Sequence, residues 1–133
     1  MTVRASSGVL VDGRFVVERL AGSGGMGAVY RAFDRKIGAP IALKVLHGRG
    51  VQDAPRFVRE AELLAALRHP GIVRYIAHGT TEGGELWLAL EWLDGESLAD
   101  RLARGGLTAA ETVDLGARVA EALGVAHEAG IVH

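Results

Sequence analysis

Three kinds of residue in this chain could do chemistry: a cluster of glycines, a lysine set in an apolar run, and a glutamate within a helical stripe. The glycines stand in Gly22-Ser23-Gly24-Gly25-Met26-Gly27-Ala28-Val29-Tyr30, four of them within six residues. Glycine has no β-carbon, so its backbone can bend sharply or lie close to another group, at an entropic cost that weakens a strand interior. The spacing Gly22-x-Gly24-x-x-Gly27-x-Val29 allows two phosphate-binding arrangements. If a helix follows the glycines they form a dinucleotide turn; if a strand follows, they form a flap over nucleotide phosphates. A plain glycine hairpin would use the same residues.

The flanking residues narrow the choice. Residues 15–20 and 28–34 are both strand-like, with Val29, Arg31 and Phe33 on one face of the second and Ala28, Tyr30 and Ala32 on the other. The glycines therefore sit at a hairpin tip with no helix after them, which disfavours the dinucleotide turn. Gly38 and Pro40 mark the next turn. Residues 41–46 form a third strand, apolar except for Lys44. A two-residue period puts Ala42, Lys44 and Leu46 on one face and Ile41, Leu43 and Val45 on the other. A lysine in such a run reaches water, finds a partner, or guards a sheet edge. Asp53 can cap a helix that runs to about residue 67 or 68 and stops at Pro70-Gly71. Phe57, Ala61 and Leu64 define its buried stripe. Glu60 is placed within that stripe, and Glu62 points roughly 140° away from Phe57. Glu60 is then either a carboxylate at the margin reaching water or the partner of Lys44.

Two further strands are expected at residues 72–79 and 85–92, joined by a hairpin over 80–84. Asp94-Gly95 is a turn, and the pattern becomes helical after it. A short helix spans residues 97–103 and breaks at Gly105-Gly106. Thr108-Ala109-Ala110-Glu111 is a capping box opening a long helix to about residue 129, with Leu115, Val119, Ala122 and Ala126 on one face and Gly130 as its C-cap. The expected class is α+β: a five-stranded antiparallel sheet with one inserted helix, then helices. Residues 1–14 are expected to be a loose leader. The 133 residues are 49% apolar, enough for a core, and carry a net charge of −1 from 15 basic and 16 acidic side chains. That balance gives no case for nucleic acid or an acidic membrane surface. With no cysteine, disulfides and thiolate metal sites are ruled out. No apolar run approaches the length of a membrane span, so a cytoplasmic location is expected.

In this order the features resemble the bacterial, eukaryotic-like serine/threonine protein kinases. Gly22-x-Gly24-x-x-Gly27-x-Val29 is similar to the family's glycine-rich loop, and Ala42-Leu43-Lys44 to the strand that carries its ATP lysine. Arg59-Glu60-Ala61-Glu62 resembles helix C, with Glu60 as the ion-pair glutamate. Arg68-His69-Pro70-Gly71-Ile72-Val73 resembles the helix-to-strand signature, Leu90 the gatekeeper and Glu91-Trp92-Leu93 the hinge. Asp94-Gly95-Glu96-Ser97-Leu98 resembles the start of helix D, and His127 to His133 the end of helix E running into the catalytic-loop histidine. The resemblance implies a kinase N-lobe over residues 15–93 and the start of a C-lobe over 94–133. It implies ATP contacts from Ala21, Gly22, Ser23, Gly24, Gly25, Met26, Gly27, Ala28, Val29, Ala42, Lys44, Leu90, Glu91 and Leu93, with Glu60 holding Lys44. In the complete kinase it also implies Mg²⁺ and protein substrates bearing Ser or Thr.

Two departures qualify it. Ala21 stands where the family often has a larger aliphatic residue. Of the catalytic loop only His133 is present: the catalytic Asp, the Mg²⁺-binding Asn and the Asp-Phe-Gly segment have no counterpart in these residues. The expectation is therefore an N-terminal kinase fragment, inactive by itself. The alternative is a non-enzymatic nucleotide-binding or protein-interaction module. The long helix, without the rest of its lobe, is expected to leave apolar surface exposed.

Overall fold

A computed structural model describes residues 7–24, 27–46 and 54–132. Within it the chain forms two compact units, one from Met1–Ala66 and Arg74–Trp92, the other from Leu67–Val73 and Leu93–His133. The segment Leu67–Val73, kept with the strands in the sequence reading, thus groups with the later helices.

The first unit is a six-stranded antiparallel sheet: β1 (Leu10–Val11), β2 (Phe15–Gly24), β3 (Gly27–Asp34), β4 (Ala39–Leu46), β5 (Tyr75–Thr80) and β6 (Leu86–Glu91). Its spatial order is β1-β2-β3-β4-β6-β5. Alternation decides which face each residue takes. In β4, Ile41, Leu43 and Val45 are at most 1% exposed, while Ala42, Lys44 and Leu46 are half-buried on the opposite face. In β3, Ala28, Tyr30 and Ala32 are buried and Val29 and Arg31 half-buried, as the two-residue period requires. The core therefore lies on one face of the sheet, where Phe15, Val17, Tyr30, Ile41, Leu43 and Trp87 meet, with the Phe15 and Trp87 rings edge-on at 4.8 Å.

β1 is the strand that the sequence reading missed. Residues 9–14, expected as part of a loose leader, turn through Asp12 and Gly13, both at positive φ, and bring Val11 into the core. Leu10 and Val11 pair with Val16 and Phe15, and the Val17 amide donates to the Val9 carbonyl at 2.9 Å. At the fifth strand the expected start moves from Ile72 to Tyr75. The Gly71 amide donates to His69 Nδ1 and the Ile72 amide to the His69 carbonyl, so the backbone here is committed to a turn. One helix, α1 (Ala54–Ala66), lies between β4 and β5 in sequence and packs on β5.

One buried charge ties the sheet together. Asp34, at the end of β3, is fully buried. It falls in the same phase as Ala28, Tyr30 and Ala32, so its carboxylate has to point to the core side and needs partners there. Arg14 supplies them bidentately, Nε to Oδ1 at 2.8 Å and Nη2 to Oδ2 at 2.6 Å, and the Lys36 amide donates to Oδ1 at 2.9 Å. The turn between β1 and β2 is thereby fastened to the turn between β3 and β4.

In the second unit, α2 (Leu98–Arg104) is capped by Ser97, and α3 (Ala109–Glu128) opens on the expected capping box of Thr108 and Glu111. Gly130, at φ +80°, closes α3, with the Ile131 amide donating back to the Ala126 carbonyl. No α3 residue is fully buried, and Val113, Val119 and Leu123 are exposed.

Two predictions follow from this framework. Burial is the largest single influence on the Asp34 carboxyl and would raise its pKa. The Arg14 hydrogen bond, the Lys36 and Ile37 amides and the Arg14 charge together outweigh it, and the pKa lies below the ordinary value of 3.8. A depressed folded-state pKa gives stability that is present above the ordinary carboxylate value and lost as pH falls through the folded value. Asp34→Asn should therefore be less stable by about 2 to 3 kcal/mol at neutral pH, and its melting temperature should fall less steeply with acid than that of the parent. Coincident melting curves at pH 7 would contradict this.

The second concerns Gly27, at φ +149°, where a β-carbon would lie 2.2 Å from the Val45 carbonyl oxygen. At Gly22 a β-carbon would meet nothing within 4 Å. Gly27→Ala should destabilise the chain by about 1 to 3 kcal/mol, whereas Gly22→Ala should shift the thermal midpoint little. Equal effects of the two would show that the Val45 carbonyl does not constrain Gly27.

Candidate functional site

Strand register brings five of the sequence-predicted residues, Gly22, Val29, Ala42, Lys44 and Leu90, onto the sheet face opposite the core. One cross-strand row runs Gly22, Val29, Lys44, Leu88, His78. The neighbouring row runs Arg19, Arg31, Ala42, Leu90, Tyr75. Rows two residues apart along a strand are about 7 Å apart and share a face. Gly22, Val29, Ala42, Lys44 and Leu90 are thus neighbours although they come from four strands.

The glycine tip closes one end of the first row. Pairing continues through Ser23 with Ala28 and Gly24 with Gly27, so the tip is a true extension of β2 and β3. Ala21 sits at a register shift between Leu20 and Gly22. Ala21, Gly22, Ser23 and Gly24 are all exposed, and the space beside Gly22 and Gly24 is open. Backbone amides at such a tip are accessible to an anion. Gly25 and Met26 lie outside the described residues, as does His133. Ala28 is corrected: it is 5% exposed and belongs to the core cluster, because the alternation that turns Val29 to the site turns Ala28 away from it.

Lys44 is half-buried in the centre of the site face. The expected pair with Glu60 is not made. Glu60 is exposed and accepts from Arg56 Nε at 3.0 Å, one helical turn earlier. At about 100° per residue, Glu60 lies roughly 60° to one side of Phe57 and Ala61 roughly 40° to the other. The buried direction of α1 is set by Ala61, which is 2% exposed, with Phe57 and Leu64 half-buried beside it. Glu60 is thus at the margin of the stripe rather than inside it, and a long carboxylate there turns to water and to Arg56. Among the described residues Lys44 makes no ion pair.

The end of β6 is held from two sides. The Glu91 amide donates to the Arg74 carbonyl at 2.9 Å, and the Arg74 amide donates to Glu91 Oε1 at 2.7 Å. Beside it, the guanidinium groups of Arg19 and Arg31 stand 5.2 and 5.5 Å from the centroid of the Trp92 ring. Arg31 is also ion-paired with Glu18. Leu93 belongs to the other unit and is 65% exposed.

Sequence reasoning also missed the contact that seats α1 on the sheet. The Tyr75 hydroxyl and His78 Nδ1 are 2.6 Å apart, and the Phe57 ring meets His78 edge-on at 6.2 Å. Burial raises the Tyr75 hydroxyl pKa above 10.0. The polar Tyr75 and His78 inside a largely apolar expected strand were the available signal. Among the described residues no group of three or more His, Asp or Glu side chains is placed to hold a metal ion.

These features have counterparts in known proteins. The protein kinase domain family matches residues 15–133. The chain is 40% identical over 132 residues to serine/threonine-protein kinase pkn2 of Myxococcus xanthus, covering 97% of this chain and 16% of that protein. It is 39% identical over 136 residues to serine/threonine-protein kinase PknJ of Mycobacterium tuberculosis, covering 100% of this chain and 23% of that protein. The crystal structure of the M. tuberculosis PknI kinase domain matches with a TM-score of 0.82 at 33% identity, over 96% of this chain and 53% of that one. The chain thus spans less than a quarter of the two curated relatives and about half of the PknI kinase-domain chain. A curled antiparallel sheet with helices is the architecture that the matched kinase domain shares with it, and the chain belongs to the protein kinase family, among the serine/threonine kinases of bacteria.

Proposed function

We propose that this chain carries the ATP-binding part of a serine/threonine protein kinase, with residues 15–93 as its N-lobe and residues 94–133 as the first helices of the C-lobe. The observation that supports this best is the pair of adjacent cross-strand rows, which gather Gly22, Val29, Lys44, Ala42 and Leu90 on one face. The residues fit a nucleotide: an open glycine tip to donate amides, one cation in the middle of the face, and small apolar side chains beside it. In this reading the tip amides and the Lys44 ammonium hold the phosphates, Ala42 and Val29 form apolar walls for adenine, Leu90 limits the depth, and the backbone carbonyl of Glu91, whose amide is taken by Arg74, accepts from the base. ATP supplies the phosphoryl group for a Ser or Thr hydroxyl of a protein substrate, and a cytoplasmic location belongs to the same proposal.

Glu60 enters this reading only if it releases Arg56. An exposed i,i+4 pair is worth about 0.3 to 0.5 kcal/mol, so nucleotide phosphates that draw Lys44 forward could offset its loss. The family implies Mg²⁺, but the described residues offer it no ligand set. Positioning and electrostatics carry phosphoryl transfer. The 133 residues hold the nucleotide-facing part of that arrangement and no residue matching the catalytic Asp, so by itself this chain should bind nucleotide without transferring phosphate.

Calorimetry on the purified chain tests the binding, and a labelled-phosphate assay tests the silence. ATP should bind weakly, and Lys44→Met should weaken it roughly tenfold or more through loss of a charge-assisted contact. Glu60→Gln should leave the affinity within about twofold, because an exposed pair contributes so little. Labelled-phosphate transfer should be absent in all three. Lys44-dependent transfer would refute the silence. ATP binding that ignores Lys44 would remove Lys44 from the site, and no binding at all would favour a protein-interaction module.

A further inference from the structure

The hinge end of β6 carries an arrangement that the nucleotide reading does not use. Arg19 and Arg31 are direct cross-strand partners, and Arg31 continues the same row into Ala42 and Leu90. Trp92 follows Leu90 by two residues. Two guanidinium groups from neighbouring strands therefore address one indole, at 5.2 and 5.5 Å. Like charges on adjacent strands repel. Arg31 relieves this through its ion pair with Glu18, and the electron-rich face of Trp92 draws both cations. Trp92 is the last residue of the first unit, one position past Glu91.

We propose that Arg19 and Arg31 are positioning residues for the hinge, acting through Trp92 to hold the exit of β6 where it meets adenine. The inference rests on the nucleotide reading for its purpose, and on the ring geometry alone for its mechanism. The two arginines lie on β2 and β3, whose tip is the phosphate flap, while Trp92 lies at the adenine end. The contact thus links the strands of the flap directly to the hinge strand, bypassing β4, which lies between them in the sheet. Arg74 and Glu91 hold the β5 side of the same strand end, so the two devices act on opposite sides of it.

The test compares the chain with Arg19→Ala/Arg31→Ala and with Arg19→Lys/Arg31→Lys, which keeps the cations and the Glu18 partner. Amide hydrogen exchange at Glu91 and Trp92 should accelerate about three- to tenfold in the alanine variant and return toward the parent rate in the lysine variant. The amides of Leu43 and Val45 should be unchanged. ATP affinity should fall by a similar factor in the alanine variant with the melting temperature preserved. A general loss of stability would instead lower the melting temperature and speed exchange throughout the sheet, which would overturn the proposal. Unchanged exchange at Glu91 and Trp92 would overturn it too, whether or not nucleotide binds. If exchange responds as expected but the parent chain binds no ATP, the positioning stands and the nucleotide reading fails.

Discussion

A lysine in the middle of an apolar, centrally paired strand is the constraint on which the rest depends. β4 lies between β3 and β6, so its backbone is satisfied on both edges and its side chains have only the two sheet faces to go to. Ile41, Leu43 and Val45 take the core face. Lys44 is left on the other, opposite Val29 and Leu88. A one-residue slip would bury the ammonium among Phe15, Val17 and Trp87 at a cost of several kcal/mol. Core packing therefore fixes the register, and the register fixes what Lys44 faces. The glycine tip and the end of β6 inherit their places from the same pairing.

The helix obeys a weaker constraint. α1 is seated by Ala61, Phe57 and Leu64 against β5, through the edge-on contact of Phe57 with His78. None of these contacts specifies where Glu60 points. The carboxylate sits at the margin of the stripe, and Arg56 is one turn away in sequence, so the local pair wins. A buried partner for Lys44 requires a rotation of α1 of tens of degrees or a new attraction at Lys44. The sheet half of the site is set by packing, while the helix half is set by a surface ion pair of small worth.

Much of the fold was legible because alternation and caps are local signals. The phases of β3 and β4, the capping box at Thr108 and Glu111, and Gly130 after α3 all followed from residues within a few positions of each other. What escaped depended on distant partners. β1 is only two residues long and exists because Val11 completes a core that other strands built. Asp34 was read only as the end of a strand, although its place in the Ala28, Tyr30, Ala32 phase marked it as buried. In the site, the lysine and the glycine tip stood out by spacing, and Ala28 came with the family resemblance although the strand period had already put it on the face of Tyr30 and Ala32. Glu60 was misplaced because it lies about 60° from Phe57 on the side away from Ala61, outside the arc that Leu64, Phe57 and Ala61 cover. The Arg19, Arg31 and Trp92 contact had no sequence signal at all, since cross-strand neighbours are set by a register that includes two irregularities in β2.

The central claim is that Lys44 faces nucleotide phosphates. The chain has only two lysines, Lys44 and the exposed Lys36, which permits a direct measurement. An ATP derivative bearing an acyl group on its terminal phosphate transfers that acyl group to an amine lying beside the bound phosphates, and peptide mass spectrometry reads which lysine received it. The account predicts acylation of Lys44 in preference to Lys36, suppressed by excess ATP. Preferential labelling of Lys36, or labelling of Lys44 that excess ATP leaves unchanged, would contradict it.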